Sequence, residues 1–285
     1  MRKAAFVCVL AWLAVGRARA QEDGAASIIE QHLRTSAETT RRALVAKLEA
    51  MPPDEVARGF AQCLARAGDA GSRNGLAETL GRHFQTKEAA AVLRELLADP
   101  DERVRGTAIH GLRMMARRTD RPGHGRVPRG ADFAPKVEGL VPALAAAAAK
   151  DASEMNRVSA LYALADTRDA AAPAALRSAL GDPSPRVRLF AACFLTEYAD
   201  ATGLAEMRSA LEQLRVRAPE KDVQFYWDAG ILLASMERIT GKSFGPVPMN
   251  PGLSSDLAQA AEFEARYKSL IATWSAWWAW EPAAR

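Results

Sequence analysis

The stretch DPDERVRGTAIHGL, residues 99–112, occurs twice more in altered form, as DASEMNRVSALYAL at residues 151–164 and DPSPRVRLFAACFL at residues 182–195. Each copy begins with Asp, has Arg six positions later and Ala three positions after that Arg, and ends with Leu. A degenerate repeat of this kind is typical of supersecondary units that stack on one another. The repeat therefore predicts an all-α chain of stacked helix pairs, in which each copy forms the second helix of a pair.

The spacing of the apolar residues supports helices. In the first copy they are four, four and three positions apart, as on one face of an α-helix, and the third copy repeats the spacing. These two stripes are Val104, Ala108, Leu112 and Met115, and Val187, Ala191, Leu195 and Tyr198. Thr86 is predicted to cap the helix before the first copy, and Gly241 is predicted to end the last pair in a left-handed conformation.

The N-terminal part of the repeat region is less regular. Residues 27–50 predict one amphipathic helix, residues 68–74 a loop, and residues 76–84 a short helix. Residues 53–61, PDEVARGFA, are similar to residues 100–108, PDERVRGTA, and are interpreted as a degenerate early copy.

The recurring Asp and Arg are interpreted as structural rather than catalytic. An Asp between two helices can accept hydrogen bonds from free N–H groups at the start of the second helix. The Arg offers five donors, enough to reach an Asp of its own unit or of a neighbouring unit. The predicted ladder consists of Asp99, Arg105, Asp151, Arg157, Asp182 and Arg188.

Two-helix units with Asp and Arg six residues apart resemble HEAT repeats, and the resemblance covers about residues 54–240. It implies an α-α superhelix, a HEAT-like solenoid of antiparallel helix pairs whose concave side is lined by the second helices and binds a protein partner. At 100° per residue, the face directed away from Ala108 is the exposed one. That face carries Arg103, Thr107, His110, Met155, Ser159, Tyr162, Arg186, Phe190 and Cys193. This mixture suits a protein partner better than a polyanion.

Residues 1–20 have the pattern of a secretory signal peptide, with a basic start, an apolar run and a small-residue motif ending at Ala20. Cleavage near Ala20 predicts export to the periplasm or the exterior. The remaining chain has 34 Lys and Arg against 34 Asp and Glu, which argues against nucleic acid as a partner. Its apolar runs are too short for a membrane span. Residues 119–133, rich in Gly, Pro and Arg, are predicted to be a loop inserted into a repeat region of residues 21–240.

Residues 241–285 are predicted to form a linker and a capping helix. The motifs ITGKSFG at residues 239–245 and WSAWWAW at residues 274–280 resemble the tail of secreted bacterial HEAT-repeat proteins. Trp274, Trp277 and Trp278 share one helix face. They are interpreted as a cap over the last repeat, and the alternative is a platform for carbohydrate.

No catalytic motif or metal-ligand spacing is present, so the predicted scaffold is non-enzymatic and needs no cofactor or metal. Cys63 and Cys193 are predicted to be small, buried or half-buried apolar residues rather than a disulfide. The alternative function is a lyase- or chaperone-like modifying factor, which would use Cys193 with Tyr162 and His110. The oligomeric state is left open.

Overall fold

The computed structural model describes residues 24–116, 138–217, 223–248 and 257–280. Within these ranges the chain forms thirteen α-helices and no strand, which confirms the predicted all-α fold. The chain divides into two compact units, Met1–Leu140 and Val141–Arg285. The predicted signal peptide and the predicted loop at residues 119–133 lie outside the described residues.

The helices of unit 1 pack in two layers. They are α1 (Ala25–Arg34), α2 (Glu38–Glu49), α3 (Pro53–Arg66), α4 (Ala70–His83), α5 (Lys87–Glu95) and α6 (Glu102–Ala116). Helix α3 packs between α1 and α5 in one layer, and α4 packs on α6 in the other. Contacts of α3 with α4 and of α5 with α6 join the layers, so these four helices form two consecutive helix pairs of the kind that stack in solenoids.

This packing corrects the interpretation of residues 53–61. Helix α3 contains them and lies in the layer of α5, the layer of first helices, whereas α4 is the counterpart of α6. The close approach of α4 and α6 depends on Gly81 and Gly111, because a Cβ atom on Gly81 would lie 2.6 Å from the Gly111 Cα. Residues 53–61 are therefore similar in sequence to the repeat but belong to the first helix of a pair rather than to the second.

Local capping explains where the helices of unit 1 begin and end. The Thr86 hydroxyl accepts the Ala89 N–H at 3.1 Å, which confirms the predicted cap. Asp69 accepts the Ser72 N–H at 2.9 Å and starts α4 at Ala70, so the predicted loop at residues 68–74 was wrong. The single helix predicted over residues 27–50 is divided, because Thr35 is extended (φ −90°, ψ 136°) and ends α1.

Unit 2 by itself is also built of packed helices. Its helices are α7 (Leu140–Lys150, which begins one residue before the unit), α8 (Glu154–Thr167), α9 (Ala172–Ala179), α10 (Pro185–Leu195), α11 (Leu204–Val216), α12 (Val223–Thr240) and α13 (Leu257–Trp280). Helix α10 packs between α8 and α12 in the layer of second helices, and α11 packs against α13. Val187, Ala191 and Leu195 of the predicted apolar stripe are fully buried and Tyr198 is half-buried, but α10 is buried all round from Leu189 to Leu195 rather than along one stripe.

The C-terminal helix α13 covers α11 and α12 of unit 2. It buries Trp274 and Trp278 almost completely, while Trp277 is half-buried. The ring of Phe244 lies 4.8 Å from that of Trp274, centroid to centroid, so the segment after α12 also packs on α13. Gly241 ends α12 at φ +68°, as predicted for a left-handed cap.

Candidate partner-binding surfaces

The recurring Asp and Arg make the same hydrogen bonds in each of the three turns that precede α6, α8 and α10. Oδ1 of the Asp accepts the main-chain N–H two residues later, at 2.9 Å for Asp99 and Asp151 and 2.8 Å for Asp182. Nη1 of the Arg six positions later donates to the main-chain oxygen of the same Asp. The distance from Nη1 to the main-chain oxygen is 2.9 Å for Arg105, 3.0 Å for Arg157 and 2.9 Å for Arg188. Each Asp–Arg combination therefore ties the turn to the helix that follows it.

Arginines also connect successive helix pairs within each unit. Arg157 donates two hydrogen bonds to the Asp182 carboxylate, Nε to Oδ2 at 2.9 Å and Nη2 to Oδ1 at 3.0 Å. The two side chains are only 13% and 6% exposed. Arg188 donates from Nε to Glu206 at 2.9 Å. Both arginines make charge-assisted hydrogen bonds, and the bond of Arg157 is in addition bidentate and largely buried. Hydrogen bonds of this kind fix the orientation of neighbouring helices.

In unit 1 the partner of Asp99 is Arg73 of α4, a residue that the sequence comparison missed. Nε and Nη2 of Arg73 donate to the two Asp99 carboxylate oxygens at 2.6 and 3.1 Å. The hydrogen bond from Arg73 holds the pKa of the Asp99 carboxyl below its ordinary value. Arg73 follows the capping Asp69 by four positions rather than six, which hid it from a search by spacing.

The unit 1 part of the predicted binding face lines a groove between α4 and α6. Arg103 and His110 are exposed and Thr107 is half-buried, with its hydroxyl donating to Asn74 Oδ1 at 2.7 Å. The groove has a volume of about 520 Å³ and is also lined by Gly81 and Gly111. We call it the α4–α6 groove.

The unit 2 part forms a surface on α8, α10 and α12. Met155 is 52% exposed, Ser159 and Tyr162 are half-buried, and Arg186 lies between Met155 and α12. Trp227 of α12 is 48% exposed and donates its indole N–H to the Tyr162 hydroxyl at 3.0 Å. We call Met155, Tyr162, Arg186 and Trp227 the unit 2 patch.

Phe190 and Cys193 are corrections to the predicted binding face, because both are fully buried. Helix α10 is covered by α8 on one side and by α12 on the other, which removes these two side chains from the surface. Burial also raises the pKa of the Cys193 thiol to about 12. The reactive form of Cys is the thiolate, so Cys193 does not suit the nucleophile of the lyase-like alternative.

Helix α12 contributes residues that hold Arg186 in place and that the sequence analysis missed. Asp228 is 6% exposed and pairs with Arg186 Nε at 3.3 Å, and Gln224 Nε2 donates to the same Asp228 oxygen at 2.6 Å. Burial raises the pKa of the Asp228 carboxyl, against the opposing effect of Arg186. A weaker copy of the repeat lies 38 residues after the third one and aligns Ala191 with Ala229, and the same alignment matches Arg186 with Gln224.

Among the described residues no group of three or more His, Cys, Asp or Glu is arranged to hold a metal ion. None of the described helices combines the length and hydropathy needed to span a bilayer. Cys63 and Cys193 are both buried and free, as predicted.

Comparison with known proteins agrees with the packing. Residues 57–122 match the family model for HEAT repeats. The match supports a HEAT-repeat family for the chain. It covers most of α3 and all of α4 to α6, the two helix pairs defined by the packing of unit 1. HEAT repeats commonly mediate protein interactions. A search of the curated proteins finds no match.

Proposed function

We propose that the protein is an exported, non-enzymatic HEAT-repeat scaffold that binds a protein partner through the exposed face of its second helices. The observation that carries the proposal is the unit 2 patch, where Trp227 and Met155 are both about half exposed beside Tyr162 and Arg186. Trp, Tyr and Arg are the residue types that dominate protein–protein binding energy.

The side chains of the patch are held in place before a partner binds. Trp227 is fixed by its hydrogen bond to Tyr162, whose ring packs 4.5 Å from that of Phe194. Arg186 is held between Asp228 at 3.3 Å and Glu154 at 3.8 Å. Preorganised side chains lose little conformational entropy on binding, which favours affinity.

The competing carbohydrate function rests on the C-terminal tryptophans. Trp274 and Trp278 are 1% and 2% exposed, and the helix that carries them, α13, packs against α11 and α12 of the same unit. Buried indoles have no face for a sugar ring, so this burial supports the capping role. The similarity of the tail to that of secreted bacterial HEAT-repeat proteins fits the same proposal.

Export is proposed from the pattern of residues 1–20. The full-length chain, expressed in a bacterial host, should be recovered from the periplasm or the medium, starting near Gln21. A variant without residues 2–20 should stay in the cytoplasm. Recovery of an uncleaved chain from the cytoplasm would contradict the export proposal.

Binding is tested by affinity capture of partner proteins from the cell-envelope fraction of the organism that produces the protein, with the mature protein as bait. Trp227→Ala should reduce capture of the partner about tenfold or more, the effect of losing a central aromatic anchor. The matched control is Trp280→Ala, because Trp280 is 85% exposed at the end of α13 and is not part of the patch. Equal capture by both variants would refute the role of the patch, and enrichment of glycans alone would favour the carbohydrate function.

A further inference from the structure

The second helices of unit 1 leave an opening between α2 and α4. Helix α4 packs closely on α6, whereas α2 packs on α1 and is not packed on α4 in this way. A cleft of about 780 Å³ lies there, and its lining includes Arg41 and Val45 of α2 and Ser72 and Glu78 of α4. We call it the α2–α4 cleft. Sites for small ligands have volumes of roughly 300–1,000 Å³, so the cleft is large enough to hold one.

Helix α1 closes the bottom of the cleft. It contacts both α2 and α4, and its residues His32 and Leu33 belong to the lining. His32 is only 9% exposed, and its Nδ1 has no hydrogen-bond partner in the part of the chain that the structure describes. A buried polar atom without a hydrogen bond is unfavourable, and a ligand that supplies the bond removes this cost. The bottom of the cleft therefore has an unmet demand for one hydrogen bond.

Arg41 is the second group of the cleft with unused hydrogen-bonding capacity. Its Nε donates to the Thr35 main-chain oxygen at 2.8 Å, which holds the side chain at the turn between α1 and α2. Its two Nη atoms make no hydrogen bond or ion pair with the residues that the structure describes. Because a guanidinium presents its N–H donors in a planar fork that matches a carboxylate, Arg41 can receive one from a ligand.

The other charged groups of the lining are already engaged. Its three carboxylates are held by an arginine four residues along the same helix or by the cap of α4 at Ser72, and they are Glu38, Glu78 and Asp69. Burial and the neighbouring Arg82 lower the pKa of His83, so that this ring is neutral at pH 7. Arg41 is thus the guanidinium of the lining that lacks a carboxylate, and the cleft has a place for one anionic group, since a second would be repelled.

We infer that the α2–α4 cleft binds the carboxyl terminus of a peptide, with the terminal carboxylate on Arg41 and the last peptide group hydrogen-bonded to His32 Nδ1. A peptide group has both a donor and an acceptor, so it satisfies Nδ1 in either tautomer. A chain that ends in the cleft fits a site closed at the bottom by α1, and Leu33 and Val45 supply apolar contacts for a small side chain. The inference goes beyond the proposed function, which rests on the unit 2 patch.

The test uses the mature protein and calorimetric titration with acetyl-Ala-Ala-Ala, which has a free terminal carboxylate. The comparison ligands are the same peptide as its terminal amide, acetyl-Ala-Glu-Ala amide with an internal carboxylate, and acetate. The free-carboxylate peptide should bind saturably and more weakly as salt is added. The three comparison ligands should each bind about tenfold more weakly or less, because each lacks the terminal carboxylate or the peptide group beside it.

Variants locate the site. Arg41→Gln should weaken binding of acetyl-Ala-Ala-Ala about tenfold or more. The matched control is Arg42→Gln, the next residue of the same lining, which should change binding less than about threefold because Arg42 is paired with Glu38 at 2.8 Å. His32→Phe should also weaken binding about tenfold without lowering the melting temperature, because it removes the unpartnered nitrogen. Circular dichroism verifies that each variant is folded.

A measurement on the unaltered protein supports the variants. The sequence has four His, so the ring nitrogens give few signals in a nitrogen-15 spectrum, and those of His32 should shift on addition of acetyl-Ala-Ala-Ala. The inference is overturned by absence of saturable binding, by equal binding of any comparison ligand, by equal loss in Arg41→Gln and Arg42→Gln, or by unshifted His32 signals. Failure here is distinguishable from failure of the proposed function, because capture that depends on Trp227 is measured separately.

Discussion

Replacement of Asp182 by Ala tests the connection between helix pairs. The substitution removes both hydrogen bonds from Arg157 and the acceptor for the Ser184 N–H at 2.8 Å. Arg157 keeps its bond to the Asp151 main-chain oxygen at 3.0 Å but loses its only carboxylate among the described residues. Because the Arg157 side chain is 13% exposed, the guanidinium would remain largely buried without a counter-charge.

The expected cost follows from that burial. Removing one partner of a buried ion pair destabilises a protein by about 3–5 kcal/mol, because the remaining charge stays desolvated. For a unit of this size each kcal/mol lowers the melting temperature by about 2–4 °C. The Asp182→Ala variant should therefore melt roughly 6–20 °C below the parent protein.

Tryptophan fluorescence is the appropriate assay, because every Trp except Trp12 lies in unit 2. The control is Glu212→Ala, which removes an exposed pair with Arg215 in the same unit; the two side chains are 47% and 52% exposed. Its cost should be about 1 kcal/mol or less. A double-mutant cycle with Arg157→Ala isolates the pair, since the double variant should cost less than the sum of the single ones.

A small effect would refute the reasoning. If Asp182→Ala shifts the melting temperature no more than Glu212→Ala does, the Arg157–Asp182 pair does not hold successive helix pairs together. Additive costs in the double-mutant cycle would lead to the same conclusion.

Three further perturbations test the packing. Gly81→Ala should destabilise unit 1 by about 1–3 kcal/mol in chemical denaturation, because its Cβ would lie 2.6 Å from the Gly111 Cα; Gly68→Ala, with nothing within 4 Å of the new atom, should stay within about 1 kcal/mol. Trp274→Ala should cost about 3–5 kcal/mol by thermal unfolding, since the indole is 1% exposed, and an unchanged midpoint would contradict the capping role. Cys193 should react with a thiol reagent only after denaturant is added, because burial raises its pKa to about 12 and excludes the reagent, so rapid labelling of the native protein at this residue would show that α10 opens.

The helices were predictable from sequence wherever apolar spacing and capping residues agreed. The stripe from Val104 to Met115 and the cap at Thr86 are of this kind, because both depend on contacts within one helix or its first turn. The break at Thr35 was missed because neither Gly nor Pro marks it. Residues 53–61 were assigned to a second helix because similar sequences occur in helices of both layers. The layer in which a helix lies depends on long-range packing, which the local sequence does not show.

The exposed face was predictable only in part, because its exposure depends both on contacts within one helix and on the packing of neighbouring helices. A helical wheel gives the direction of a side chain on one helix, and it identified Arg103 and Met155 as exposed residues. It cannot show that α8 and α12 cover Phe190 and Cys193, since that coverage is a property of neighbouring helices. Trp227 was missed because the alignment of the last copy, at an offset of 38 residues, matches it with Leu189, which does not lie on the predicted face.

Arg157 binds both the turn before its own helix and the turn of the next helix pair. This arrangement affects how a chain of repeats can evolve. Three connections between helix pairs use an arginine and a carboxylate, namely Arg73 with Asp99, Arg157 with Asp182 and Arg188 with Glu206. Duplication or loss of a whole helix pair would again bring an arginine towards a carboxylate. Evolution can therefore change the length of such an array in whole units while the chemistry of each junction stays the same.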